Sequence, residues 1–315
     1  MIYLYALALS FAIVLLLVPQ VRKLALRFRF VDRPSKRKIH AAPVPLSGGI
    51  ALFAGVMAPV VLFMGDSPLF RALALGGAAL IVVGLIDDGF KAKGLEFPVW
   101  PRLIAYIAVA FVPFWQGIAI QGISSPSSAA MIIFSPAASA AFTAVWVFAL
   151  INMLNFIDGI DGLASGVTAI SSMTLFAASL IFAHKDTALV AVALSGACLA
   201  FLAYNFHPAR IFMGDAGATF LGYTLAVTAV DGTLKGATLL SLSVPMLALG
   251  VPILDTLIVF SRRLLEGKGL HRADNLHTHH SLMKWGLTQV QTVSFLYLIA
   301  AVFSLLSIVV LLILR

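Results

Sequence analysis

Long apolar stretches recur along the whole chain, near residues 2–21, 48–65, 69–86, 103–119, 138–154, 164–183, 187–204, 215–231, 238–260 and 291–314. Each approaches the roughly 20 residues that a helix needs to cross a bilayer. The runs are continuous, unlike the short alternating strands of an outer-membrane barrel. Backbone polar groups cannot stay unpaired in lipid, so these stretches are predicted to be helices. The expected fold is all-α: a polytopic integral membrane protein of about ten transmembrane helices, with residues 1–315 forming a single domain. Pro245 and Pro252 fall inside the ninth stretch and predict a kink. Residues 120–137 are rich in turn formers and predict an external loop with a short hairpin. The first stretch has no basic segment before it and no small-residue cleavage site, so it reads as a retained helix rather than a signal peptide.

Composition sharpens this picture. The chain is 61% hydrophobic and 11% charged, where a soluble domain carries roughly 45–50% and about 25%. An ordinary soluble protein, a disordered chain and a nucleic-acid-binding module are excluded. The single cysteine, Cys198, leaves no internal disulfide framework and no Cys-based zinc site. The net charge of +8 is an orientation signal. Ten spans place both termini on one side, and only Arg71, Lys185, Lys235 and Arg315 share that side. The other 17 of the 21 Lys and Arg residues lie on the opposite side, which the positive-inside rule makes cytoplasmic.

The acidic residues are few, and most fall at the cytoplasmic ends of the predicted spans. Asp87-Asp88 close an apolar helix, where negative charge opposes the helix dipole and two adjacent carboxylates want a cation or a shared proton. Between Asn152 and Leu163 stand Asn152, Asn155, Asp158 and Asp161 at three-residue spacings, with Gly159 and Gly162 allowing close backbone approach. A third cluster runs from Asn205 through Arg210 and Phe212 to Asp215, where Asp215 reads either as a helix N-cap or as a metal ligand. The fourth is His277-Thr278-His279-His280, inside a basic loop. No soft ligand accompanies these histidines, and Asp and Asn oxygens suit magnesium or manganese better than zinc. Carboxylates, amides, histidines and cations on one membrane face suggest a divalent metal handling phosphate oxygens. Such a site would join a soluble phosphorylated donor to a lipid acceptor.

These motifs resemble the polyprenyl-phosphate N-acetylhexosamine-1-phosphate transferases, glycosyltransferase family 4. The resemblance rests on Arg37 to Pro45 followed by Gly48-Gly49, Asp87-Asp88, the Asn152 to Leu163 run, Phe212-Met213-Gly214-Asp215 and the His277 to His280 run. It covers nearly the whole chain and looks closer to the GlcNAc-type branch than to the pentapeptide enzymes of peptidoglycan synthesis. It implies transfer of a sugar-1-phosphate from a UDP-N-acetyl-sugar to undecaprenyl phosphate, with release of UMP and a requirement for Mg2+ or Mn2+. The product would initiate a cell-surface polysaccharide or glycolipid such as O-antigen. By the same resemblance Asp215 and Asn155 would hold the metal. Asp87, Asp88, His277, His279 and His280 would be catalytic. Asp158, Asp161, Asn205, Phe212, Lys38, Arg102 and Arg272 would bind substrates, with Phe212 stacking on uracil. The bilayer of the bacterial inner membrane is the expected setting, with the site on its cytoplasmic face; a second copy of the chain is a candidate partner. The sequence departs from the family pattern at Arg102 (usually Lys), Tyr106 (often Gln), Leu46 and Asn275 (both usually Arg), which leaves the identity of the sugar open.

Three other readings share part of this pattern. A phospho-N-acetylmuramoyl-pentapeptide transferase shares the resemblance. An ion-coupled transporter would place acids at mid-membrane on broken helices, and here only Asp255, beside Pro252, has that position; a helix-end hydrogen bond is the alternative for it. A CDP-alcohol phosphotransferase would need an Arg after Asp161-Gly162-Leu163-Ala164, which is lacking. The charge asymmetry makes a direct prediction: reporters fused after Lys38 or Gly269 report the cytosol, and those after Ser127 or Arg315 the periplasm. An external Gly269 would overturn the one-sided site.

Overall fold

The structure is a computed structural model that describes residues 1–32, 43–124, 131–234, 239–265 and 277–313. The helices are α1 Ile2–Arg27, α2 Gly48–Met64, α3 Pro68–Ala92, α4 Val99–Trp115, α5 Pro136–Ile157, α6 Leu163–Ile181, α7 Lys185–Asn205, α8 Gly214–Ala229, α9 Leu239–Ala248, α10 Gly250–Leu265, α11 Thr278–Lys284 and α12 Gln289–Ile313. A π-helical turn, Val230–Leu234, prolongs α8. All ten predicted stretches are helical, and the ninth is two helices. Among the described residues α1, α3, α5, α6, α7 and α12 are long and apolar enough to cross a membrane; α2 and α4 are apolar but shorter. Two small hairpins complete the fold. β1 (Val31–Asp32) pairs with β2 (Val44–Pro45), and β3 (Gly122–Ser124) pairs antiparallel with β4 (Met131–Ile133) inside the predicted external loop.

The acidic motifs collect at one end of the bundle, where α3 and α5 end and α8 begins. α7 and α8 form its centre. α8 is buried along nearly its whole length and packs on α3, α5 and α2, while α7 packs on α1, α6 and α2. A helix apolar all round belongs in such an interior. The outer helices turn Leu16, Leu62, Val82, Ile104 and Leu298 outward, as lipid-facing surfaces do. Lipid gives helices no hydrophobic reason to associate, so contact depends on close packing through small residues. At Gly49 an added Cβ would lie 2.5 Å from the backbone nitrogen of Gly217, and at Gly84 it would run into the backbone of Ala216. These two glycines let α2 and α3 meet α8 backbone to backbone.

Prolines inside the helices leave carbonyls without their usual i+4 donor. Pro19 removes the donor for Leu15, and the hydroxyl of Tyr204 on α7 supplies one at 2.9 Å. Pro252 removes the donor for Ala248 and breaks the ninth stretch between α9 and α10; the hydroxyl of Ser171 on α6 donates to that carbonyl at 2.6 Å. In a medium without water such repair is needed. It also makes each bend a tie between helices. Tyr204→Phe is therefore expected to cost about 0.6–1.7 kcal/mol in detergent unfolding, the range for hydrogen bonds between membrane helices. The cost should shrink in a Pro19→Ala background, where residue 19 donates to Leu15 itself. Equal costs in both backgrounds, read from a double-mutant cycle, would refute the repair.

Candidate active site

Asp87 and Asp88 end α3 side by side, and the structure gives them different partners. Asp88 is fully buried and accepts hydrogen bonds from the backbone nitrogens of Asp215, at 3.0 Å, and Ala216, at 3.3 Å. The first N–H groups of a helix have no partner of their own, so Asp88 caps α8 from a neighbouring helix and meets the positive end of its dipole. Gly214 must sit at φ +70, and a Cβ there would collide with the Asp88 carboxylate. Asp87 Oδ2 accepts from Arg102 Nη1 at 2.9 Å. Asp215 is not the N-cap of its own helix: it lies in the first turn, where Lys91 Nζ stands 2.5 Å from Oδ1 and Arg102 Nη1 3.9 Å from Oδ2. The Asn155 side chain and the Asp87 carboxyl also lie beside the Asp215 carboxylate. Asn152 instead donates to the Phe148 carbonyl of its own helix and stays out of the cluster.

The loop between α5 and α6 spans this cluster and the next. Asn205 Oδ1 accepts from the backbone nitrogen of Gly162 and from Ser165 Oγ, both at 3.1 Å, while its Nδ2 donates to the Ile211 carbonyl at 3.0 Å. Asn205 thus has every polar atom engaged by protein and latches two loops together. Asp161 Oδ2 is held by His207 Nδ1 at 2.8 Å and accepts from the Ala209 nitrogen at 3.0 Å. Asp158 has no hydrogen-bond or ion-pair partner among the described residues; burial pushes its carboxyl well above the usual range, and the charges of Asp215 and Asp88 add to the effect. Phe212 is half-buried, and its backbone joins the segment from Pro45 to Gly49 to this turn. Its nitrogen donates to Pro45 and its carbonyl accepts from Gly48, while Gly49 donates to Met213. On the other side of the turn, Arg22 Nε donates to the Arg210 carbonyl at 3.0 Å.

The histidines form a separate group on α11. Asp255, buried on α10, accepts from the Thr278 nitrogen at 2.7 Å and lies 2.7 Å from His277 Nδ1. It therefore makes the helix-end bond weighed against a transport relay, and orients His277 besides. His277 and His279 stack with centroids 5.7 Å apart, and His280 lies 4.3 Å from His279. His279 is buried with its Nε2 unpartnered against Gly159, where a Cβ would come within 2.6 Å. Burial and the neighbouring His280 push His279 down to about 3; burial and His277 hold His280 below its ordinary value.

Thus Asp87, Asp88, Arg102, Asn155 and Asp215 converge, and His277, His279 and His280 assemble beside them across Asp158 and Gly159. Asp161 and Asn205 brace the connecting loops. Lys38 and Arg272 lie outside the described residues. Two participants were not singled out from sequence. Lys91 was counted as an orientation charge, although its place one turn beyond Asp87-Asp88 was the available signal. Asp255 was noted only as an exception, because nothing local links it to His277. Among the described residues no three His, Cys, Asp or Glu side chains form a ready cage for a metal. Magnesium needs none: it is held by one or two carboxylates together with substrate phosphates and water. The carboxylates of Asp215 and Asp87, with the Asn155 amide beside them, fit that requirement.

The signature described as glycosyl transferase family 4 matches residues 70–233, from the start of α3 through the π-helical turn after α8. The chain is also 34% identical over 301 residues to a probable undecaprenyl-phosphate N-acetylglucosaminyl 1-phosphate transferase of Bacillus subtilis, covering 95% of this chain and 82% of that protein. The chain belongs to glycosyl transferase family 4. Other members are similar over most of their length. A decaprenyl-phosphate N-acetylglucosaminephosphotransferase of Mycobacterium tuberculosis is 32% identical, with 88% of this chain and 75% of that protein covered. A phospho-N-acetylmuramoyl-pentapeptide-transferase of Caldicellulosiruptor bescii is 30% identical, with 93% of each covered. The family signature takes in the carboxylate cluster and ends before the histidines, so the two halves of this site are separately encoded in the chain.

The depressed His279 makes a prediction about pH. The folded state keeps it neutral down to about 3, whereas the unfolded chain protonates it near its ordinary 6.5. The unfolded state therefore binds the extra proton between these values, and stability present above pH 6.5 is lost as pH falls toward 3. Melting temperature in detergent should decline over this window in the wild type and more shallowly in His279→Gln, which cannot titrate. Equal slopes would assign the decline to another group.

Proposed function

We propose that this protein transfers an N-acetylhexosamine-1-phosphate from a UDP-sugar to a polyprenyl phosphate, undecaprenyl phosphate in a bacterial inner membrane. The observation that carries this reading is the convergence of the Asp87 and Asp215 carboxylates and the Asn155 amide with Lys91 and Arg102 at one end of an apolar bundle. Water-soluble and lipid-borne phosphates can meet there. The names of the relatives give the same reaction class. An oxygen of the lipid phosphate attacks the β-phosphorus of the UDP-sugar. The bond from that phosphorus to the bridging oxygen breaks, UMP leaves with the electron pair, and a lipid-linked pyrophosphoryl sugar forms. The attacking oxygen is already ionised at neutral pH, so no side chain has to remove a proton. Asp215 and Asn155 would hold Mg2+ or Mn2+, which supplies charge neutralisation for the phosphate oxygens. Lys91 and Arg102 neutralise the rest and keep the carboxylates from repelling the incoming phosphates. The helices α1 to α10 and α12 make ten passes, with α9 and α10 sharing one and the seven-residue α11 making none, and the site faces the cytoplasm.

Radiolabelled UDP-N-acetyl-sugars incubated with undecaprenyl phosphate and the purified protein should yield label extractable into organic solvent. EDTA should abolish the transfer, and magnesium or manganese should restore it. Full activity in chelator would sink the metal requirement. Asp215→Ala should lower turnover by about 100-fold or more, as removal of one key electrostatic contact does, with the folded fraction followed by melting in detergent. Label incorporated solely from UDP-N-acetylmuramoyl-pentapeptide would favour the peptidoglycan-type activity instead.

A further inference from the structure

Tyr106 sits on α4 one helical turn after Arg102, and only 3% of it is exposed. Its hydroxyl has no hydrogen-bond partner. Buried tyrosine hydroxyls normally find one, and leaving such a group unpaired is costly. The charges nearest it are those of Asp215, Arg102, Asp87 and Asp88. The first three of these already pair with one another or with Lys91, and Asp88 is occupied by the α8 backbone. The phenol is therefore a buried donor on the Arg102 face of α4, under the influence of the carboxylate cluster, with no protein partner within hydrogen-bond distance.

The position of α4 indicates where the acceptor comes from. This helix packs on α3 and α5, and its opposite face exposes Trp100, Ile104 and Ile107. It is the wall between the cluster and the lipid. Asp158 and the histidines stand on the other side, beyond the end of α5. Tyr106 thus belongs to the element of the cluster that also presents an exposed apolar face, the kind of surface a lipid chain lies against.

We infer that the Tyr106 hydroxyl donates a hydrogen bond to a phosphate oxygen of the lipid-borne acceptor. Tyr106 is thereby a binding residue for the polyprenyl phosphate. This rests on the transferase reading above and adds to it the group that distinguishes acceptor phosphate from donor diphosphate. A phenol suits the role because it donates without adding charge beside Arg102 and Lys91. It also leaves the cations free to balance the carboxylates.

The test is Tyr106→Phe in the full-length protein. The KM for undecaprenyl phosphate should rise by about tenfold or more, the scale of a hydrogen bond to a charged group, while the KM for the UDP-sugar stays within about twofold. Without ligand the variant should melt no lower than the wild type, because the hydroxyl it loses has no partner in the protein. Undecaprenyl phosphate alone, with no sugar donor, should raise the melting temperature of the wild type more than that of Tyr106→Phe. Tyr106→Gln, which restores an N–H donor, should recover part of the difference. An unchanged acceptor KM, a rise confined to the UDP-sugar, or a fall in ligand-free melting temperature would each overturn the inference. If the wild type binds undecaprenyl phosphate through Tyr106 yet transfers no sugar, the functional reading fails while this assignment stands.

Discussion

The capping of α8 by Asp88 is the contact on which the site depends. A carboxylate at the end of one helix meets the exposed N–H groups at the start of another, and both are out of water. Each would be costly alone, and together they satisfy one another. The bond sets the height of α3 against α8, and with it the position of every functional group on those two helices. Asp215 leaves the same turn that Asp88 caps, and Lys91 lies one turn beyond Asp88. The short Lys91–Asp215 contact follows from that register. Gly84 and Gly214 are required by the same arrangement, one for the approach of the two backbones and the other for the space the carboxylate occupies.

Around this contact the charges divide by function. Asp88, Asp161 and Asn205 are bound to backbone groups and hold the turns in place. Asp87 and Asp215 are bound to cations, and those ion pairs can open toward phosphates. The distinction is physical: a side chain bonded to a buried backbone cannot leave without exposing an unpaired N–H, whereas a carboxylate paired with a half-exposed Arg102 or Lys91 can exchange partners. Asp255 belongs to the first group through Thr278 and also aligns His277.

The fold was legible in the sequence to the extent that hydropathy and proline report it. Ten apolar runs became helices, the turn-rich loop after α4 carries a hairpin, and Pro252 marked the break between α9 and α10. Short elements were not legible. α11 has seven residues, too few for periodicity to register, and β1 and β2 have two each. For the site, the acidic clusters announced themselves because charge is rare in so apolar a chain. Their division of labour did not. Whether Asp215 caps its own helix or is freed for chemistry depends on Asp88, more than a hundred residues earlier. Local sequence favoured neither reading. Lys91 was hidden by its sign, since a cytoplasmic lysine is what topology alone would supply.

The proline repairs bear on how the chain is made. α1 is synthesised well before α7, so the Leu15 carbonyl enters the membrane without the Tyr204 hydroxyl that later satisfies it. Until then ordered water or a local adjustment of the helix has to satisfy it. Docking of α7 replaces that temporary arrangement and fixes α1 in the same step. Asn205 is the next residue along, so the event that completes the first helix also brings in the latch of the α5–α6 loop. Assembly of the bundle and closure of its reactive end are thereby linked in time through two adjacent side chains.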